Sequence, residues 1–179
     1  EDGFDAGVRL GESVEKDMIA VRIGPDWRLV AVATPGYFAA HGVPQHPREL
    51  ARHTCLPMRN PAGILLDLWE FRRGGETLQV PVHGWFTSNA REAVLDLVIR
   101  GHGVGRFTEL TTRDPVQSGR LVPVLLDWEV QGGPPVNLLY KGSARRTLRL
   151  RVFIDFAMQC LRDAAQAIAN LPAVAAIAG

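Results

Sequence analysis

The residues best suited to chemistry lie in the stretch SNAREAVLDLVIRGHGVG, residues 88–105. Its three alternating glycines, Gly101, Gly103 and Gly105, raise the question of a phosphate-cradling loop. Ala90, Ala93, Val94, Leu97 and Val98 recur at the spacing of one apolar helix face. Asn89 is placed to cap that helix, with Glu92 three residues on completing a capping box. Gly101 falls where a left-handed C-terminal residue is wanted. A dinucleotide loop needs its glycines between a strand and the start of a helix, where unpaired N–H groups meet the pyrophosphate. Here they follow the helix, at its carbonyl end, where the dipole is negative. Anion-friendly chemistry is therefore expected at Ser88, Asn89 and Ala90, with a plain capped helix as the alternative.

Other reactive residues form no recognisable constellation. His41, His46 and His53 do not follow a structural zinc spacing, and no HExxH occurs. No GxSxG elbow or Cys–His pattern is present, so no catalytic residue, metal or cofactor is expected, and the chain does not read as an enzyme. Cys55 and Cys160 lack CxxC spacing and are expected as buried thiols of a reducing cytoplasm. Asp67, Glu70, Asp127 and Glu129 form no convincing acidic pair. Trp27, Trp69, Trp85 and Trp128 read as core or hairpin packing. Arg106, beyond the glycines, is placed either near a cleft or toward solvent.

The elements that must position these residues follow from pattern. With 179 residues, 46% apolar and 22% charged, the chain suits one domain or two small lobes. A net charge of +1 argues against a chain that binds polyanions as a whole. The basic stretch KGSARRTLRLR (141–151) reads as a solvated helix start. No apolar run spans a membrane and no signal-peptide pattern opens the chain, so a cytoplasmic location is expected. Strands are expected over 4–11, 17–25, 27–35, 120–128 and 135–141. A hairpin over 69–82 turns at Gly74-Gly75, and HGWFTS (83–88) continues as a strand. Thr34-Pro35 opens a short helix that Gly42 stops, a second starts at Pro47, and a long one begins near Thr147. The polar segment 106–120 has no clear assignment. Strands alternating with helices predict an α/β fold with largely parallel sheets, and Gly24–Trp27 and Lys141–Ser143 read as two hinge crossings. The alanine-rich end is expected to fray after Pro172.

Six motifs in order, GFDAGVRLG (3–11), the segment 21–50 with its ATPGYFAAHG, WEFRRGGE (69–76), SNAREAVLDLVIRGHGVG, SGRLVPVL (118–125) and RLRVFIDF (149–156), resemble the effector-binding domain of LysR-type transcriptional regulators. The resemblance spans roughly Gly3 to Leu161. It implies a two-lobed fold like that of periplasmic binding proteins, with lobe I incomplete in this chain. Lobe I would hold residues 1–24, an inserted lobe II residues 25–141, and a return helix and tail residues 142–179. It also implies a small anionic effector between the lobes, a DNA-binding domain outside this chain, and a homodimer or homotetramer. Ligands in such folds sit at strand carboxyl ends and helix N-termini. On that basis Arg9, Thr34, Pro35, Thr87, Ser88, Asn89 and Phe107 are the expected effector contacts. A periplasmic solute-binding protein of a transport system, with the same fold, is the alternative.

Overall fold

A computed structural model describes residues 6–10, 18–22, 28–60, 62–128, 136–141 and 148–169. In chain order the elements are β1 (Ala6–Leu10), β2 (Met18–Arg22), β3 (Leu29–Ala33), α1 (Pro35–His41), a 3₁₀ helix (Pro47–Arg52), β4 (Leu68–Arg73), β5 (Glu76–Pro81), α2 (Arg91–Ile99), β6 (Gly105–Thr108), α3 (Glu109–Gln117), β7 (Val122–Val124), β8 (Val136–Lys141) and α4 (Leu148–Ala169). They fall into two compact units. One holds the described parts of Glu1–Trp27 and Gly132–Pro172, the other those of Arg28–Gln131. Strand β8 pairs with β1 and β2, so it belongs with the first unit and not, as expected, with the inserted region ending at Lys141. The hinge stretch Gly24–Trp27, most of Lys141–Ser143 and the tail beyond Pro172 lie outside the described residues.

The first unit is a three-stranded sheet in the order β1-β8-β2 with the helix α4. Leu138, Tyr140 and Ile154 form its buried cluster. The apolar positions of α4 do not all serve this core: Leu148 is 75% exposed and Phe156 66%.

In the second unit β3 lies between β6 and β7. Its residues Val30 to Ala33 are buried on both faces for a simple reason. Val30 and Val32 point into a cluster with Val94 and Val98 of α2 and Val116 of α3. Ala31 and Ala33 point into a second cluster with Tyr37, Trp69, Phe71 and Trp128. The continuous apolar run therefore reports cover on two sides, but not strand direction. Every ladder among the described strands is antiparallel, which corrects the expected parallel sheets. Among the described residues parallel pairing survives only as the bridges Cys55↔Val104 and Met58↔Ser88. Burying Val94 and Val98 is worth about 1.5–3 kcal/mol each, which fixes α2 on the sheet.

The hairpin β4–β5 turns at Gly74-Gly75 as expected. The segment 83–87 is not a strand, and β7 is cut to three residues because Leu125 takes a positive φ of 58°. The polar segment after β6 is the helix α3. Thr108 caps it by accepting from the Thr111 N–H, and Pro115 sits inside it. Burial pushes the Cys55 thiol up to about 12, so it is an inert packing group. Cys160 is exposed, contrary to the expectation that both thiols are buried.

Candidate functional site

The two ends of α2 are built differently. At the C-terminal end the Gly101 N–H donates to the Val98 carbonyl at 2.9 Å, and the His102 N–H to the Leu97 carbonyl at 3.1 Å. With Gly101 at φ 82°, this is a Schellman closure that occupies the terminal carbonyls. Gly103 is required for another reason. A Cβ there would stand 2.5 Å from the Thr54 carbonyl oxygen, so the chain passes too close for any side chain. The glycines thus end a helix and let β6 leave tightly; they offer no cradle of N–H groups.

At the N-terminal end the cap lies one residue later than the sequence suggests. Ala90 is the N-cap and makes no side-chain cap bond, so the expected capping box of Asn89 with Glu92 does not form. The Ser88 hydroxyl instead accepts from the Ala90 N–H at 3.0 Å, a local turn that competes with the cap. The N–H groups of Arg91, Glu92 and Ala93 are left without an intrahelical acceptor and without a capping side chain.

Arg59 stands beside this end. Its N–H donates to the Ser88 carbonyl at 2.9 Å. Its side-chain Nε donates to Thr87 Oγ1 at 3.3 Å and its Nη1 to the Gly63 carbonyl at 2.8 Å. The Asn60–Ile64 turn that presents Gly63 is itself closed. The Ile64 N–H donates to Asn60 Oδ1 at 2.9 Å and the Gly63 N–H to the Asn60 carbonyl at 2.8 Å. A cation, two hydroxyls and three outward amides therefore meet in one exposed corner. Arg59 was not singled out in the sequence. Its partner Thr87 is 28 residues away, and no local pattern marks it.

The other expected contacts are distributed elsewhere. Thr34 Oγ1 accepts from the Tyr37 N–H at 3.1 Å and caps α1, with Pro35 as its first residue. A Cβ on Gly101 would lie 3.3 Å from Thr34 Oγ1, so Thr34 and Pro35 neighbour the C-terminal end of α2. At 1.5 Å per residue the nine residues of α2 put roughly 14 Å between the N-terminal end and this C-terminal one. Near it Trp85 is 62% exposed and sets its ring edge-on to His102 at 5.8 Å, against the expectation that it packs inside. Phe107 is 1% exposed and packs under α2 and α3, so its ring serves the core and presents no surface to a ligand. Arg9 lies in β1 opposite Asn137, in the other unit; its side chain is outside the described residues.

Arg106 is half-buried: it donates from Nη1 to the Glu70 carbonyl at 3.3 Å and lies over the Trp69 ring at 5.2 Å. Burial pulls its guanidinium down to about 10, with the nearby Glu70 charge opposing. Among the described residues no group of histidines, cysteines and carboxylates could hold a metal ion. No described helix is long and apolar enough to cross a membrane.

Against known proteins, the LysR substrate binding domain family matches residues 1–162. The chain is similar to the HTH-type transcriptional regulator YcaN of Escherichia coli K12, 38% identical over 156 residues, covering 87% of this chain and 50% of that protein. It is also similar to the HTH-type transcriptional regulator PgrR of the same organism, 32% identical over 152 residues, covering 85% of this chain and 50% of that protein. The chain thus spans about half the length of these curated relatives. Among solved structures it is similar to the regulatory domain of CrgA, a LysR-type transcriptional regulator from Neisseria meningitidis, with a TM-score of 0.72 and 29% identity. That match covers 88% of this chain and 75% of the CrgA chain. The regulatory domain of AphB from Vibrio vulnificus gives a TM-score of 0.71 at 28% identity, covering 87% of this chain and 75% of that one.

Proposed function

Because the chain belongs to the LysR substrate binding domain family, whose members are transcription regulators and not enzymes, we propose that it is the effector-sensing part of a LysR-type regulator and binds a small anionic molecule. The observation that carries the ligand class is the corner at the N-terminal end of α2. There Arg59, Thr87, Ser88 and the amides of Arg91–Ala93 all offer donors or positive potential, and no carboxylate is hydrogen-bonded to Arg59 among the described residues. A carboxylate is the group that suits a guanidinium fork beside helix amides.

In this reading Ser88, Thr87 and Asn89 frame the carboxylate. Thr34 and Pro35 serve a separate part of the ligand. Effector binding biases the packing of subunits in a homo-oligomer. It thereby sets the spacing of DNA-binding domains carried outside this chain, in the cytoplasm. The similarity to HTH-type regulators supports this over a transport binding protein.

The test is calorimetric titration with a panel of aliphatic and aromatic mono- and dicarboxylates. A saturable hit in the wild-type chain should weaken at least about ten-fold in Arg59→Ala and in Ser88→Ala, with the circular dichroism spectrum retained. A hit whose affinity is the same in both variants removes the site assignment.

A further inference from the structure

The 3₁₀ helix Pro47–Arg52 ends on His53, whose ring meets the buried residues of α1. The Tyr37 ring lies tilted to it at 5.8 Å and the Phe38 ring edge-on at 6.5 Å. His53 is 9% exposed, and its Nδ1 is buried without a hydrogen-bond partner among the described residues. The residue that follows ties this place to the rest of the second unit. The Thr54 N–H donates to the Tyr37 hydroxyl at 3.0 Å, and the Thr54 carbonyl accepts from the Val104 N–H at 2.8 Å. Tyr37 thus holds α1 to the crossing that leads into β6. Thr34, which caps α1 through the Tyr37 N–H, follows that helix. His41 belongs to the same cluster: its ring stacks on Tyr37 at 4.4 Å, and its Nδ1 donates to the Tyr37 carbonyl at 3.0 Å.

The two histidines differ in what a proton does to them. His41 has an N–H at Nδ1 with a carbonyl to receive it, and the residue is exposed, so its charged ring keeps that bond. A neutral His53 with its proton on Nε2 sets only a lone pair against the apolar wall. A charged imidazolium donates from both nitrogens, so charged His53 must place an N–H at Nδ1, where no acceptor stands. The charges around it partly cancel: His41 of α1 opposes the charge and Glu49 of the 3₁₀ helix favours it. Tyr37 and the Cys55 thiol stay neutral, burial raising the pKa of both. Arg52, on the same 3₁₀ helix, and His83, whose carbonyl takes the Cys55 N–H, are exposed. We propose that His53 is an acid-operated latch on α1: its protonation breaks the hold of Tyr37 on Thr54, frees the helix and draws Thr34 away from the C-terminal end of α2. The latch rests on packing within the second unit and not on the corner at Arg59, so its failure leaves the effector reading untouched.

The experiment is amide hydrogen exchange of the chain, read residue by residue and expressed as protection over the unstructured rate. The pocket favours the neutral ring, so release starts below the unfolded histidine value of about 6.5 and grows as pH falls. From about pH 7.5 to about pH 5 the wild type should lose at least about five-fold in protection at the Thr54 amide and at the α1 amides of Phe38 and Gly42. The Arg100 amide at the end of α2 should keep its protection. His53→Gln should abolish the loss. An equal loss in His53→Gln, or a wild type whose protection does not change with pH, overturns the proposal. A second readout needs no variant to fold. In the wild type the His53 ring and the Thr54 amide should shift together, with one midpoint below about 6.5. A Thr54 amide that follows the His41 ring instead, or a His53 midpoint at or above that value, overturns it.

Discussion

The N-terminal and C-terminal ends of the nine-residue helix α2 behave as chemical opposites. At the C-terminal end Gly101 and His102 consume the last carbonyls in a closed turn, and Gly103 lets Thr54 approach to contact distance. At the N-terminal end Ala90 supplies no cap, and the first amides face outward beside Arg59. The closed end is a packing device, so changes there should cost stability. The open end makes few contacts that hold the fold, so changes there should cost binding. The eye-catching glycines belong to the first kind, and the unremarkable residues Thr87 and Ser88 to the second.

That contrast is sharpest at Gly103. A Cβ there meets backbone oxygen at 2.5 Å, so Gly103→Ala should lower stability by about 3 kcal/mol or more in denaturant unfolding, through overpacking at a rigid crossing. An effect under about 1 kcal/mol would show that the crossing yields. Next comes Arg59→Ala at the open end. It should leave the unfolding midpoint nearly unchanged and weaken carboxylate binding about ten-fold or more. The reverse outcome, a large loss of stability with binding intact, would make Arg59 a loop strut.

Thr34→Ala should cost about 1 kcal/mol of stability through its lost cap on α1. Asn89→Ala should cost less than about 0.5 kcal/mol, because Ala90 and not Asn89 is the cap of α2. A loss at Asn89 as large as at Thr34 would restore the capping box to the account.

A pH dependence belongs to the packing side of the comparison. Burial, with the His41 charge adding to it and Glu49 opposing, holds the His53 pKa below its usual value. Its Nδ1 is buried without a partner. A depressed histidine favours the neutral form in the fold. Its contribution is therefore present above the unfolded pKa of about 6.5 and is lost as pH falls below it toward the folded value. Thermal unfolding of His53→Gln should show a shallower loss of Tm over that range than the wild type.

How much of this was legible in the sequence depended on distance along the chain. Thr34-Pro35, Gly42, Gly74-Gly75 and Gly101 act on residues within a few positions, and each marks the boundary it was expected to mark. The cap of α2 was missed by one residue because Ser88 Oγ takes the Ala90 N–H, a competition that residue type does not decide. α3 was hidden by its polar, proline-containing sequence; its start is signalled only by Thr108. Strand direction was misread because burial on two faces says nothing about polarity. Arg59 and Arg106 act through partners 28 and 36 residues away, and no local pattern points to either. The helix α4 was expected from near Thr147, but not that Leu148 and Phe156 would be exposed.

The central claim is that a carboxylate docks at the open end of α2. It is tested most directly by backbone amide chemical shifts in a ¹⁵N correlation spectrum during titration with a carboxylate that binds. The account predicts saturable shifts of the Arg91, Glu92 and Ala93 amides and of Ser88, with Gly101 and His102 unmoved. Saturable shifts confined to Gly101, His102 and Trp85 would contradict it and move the site to the opposite end of the helix.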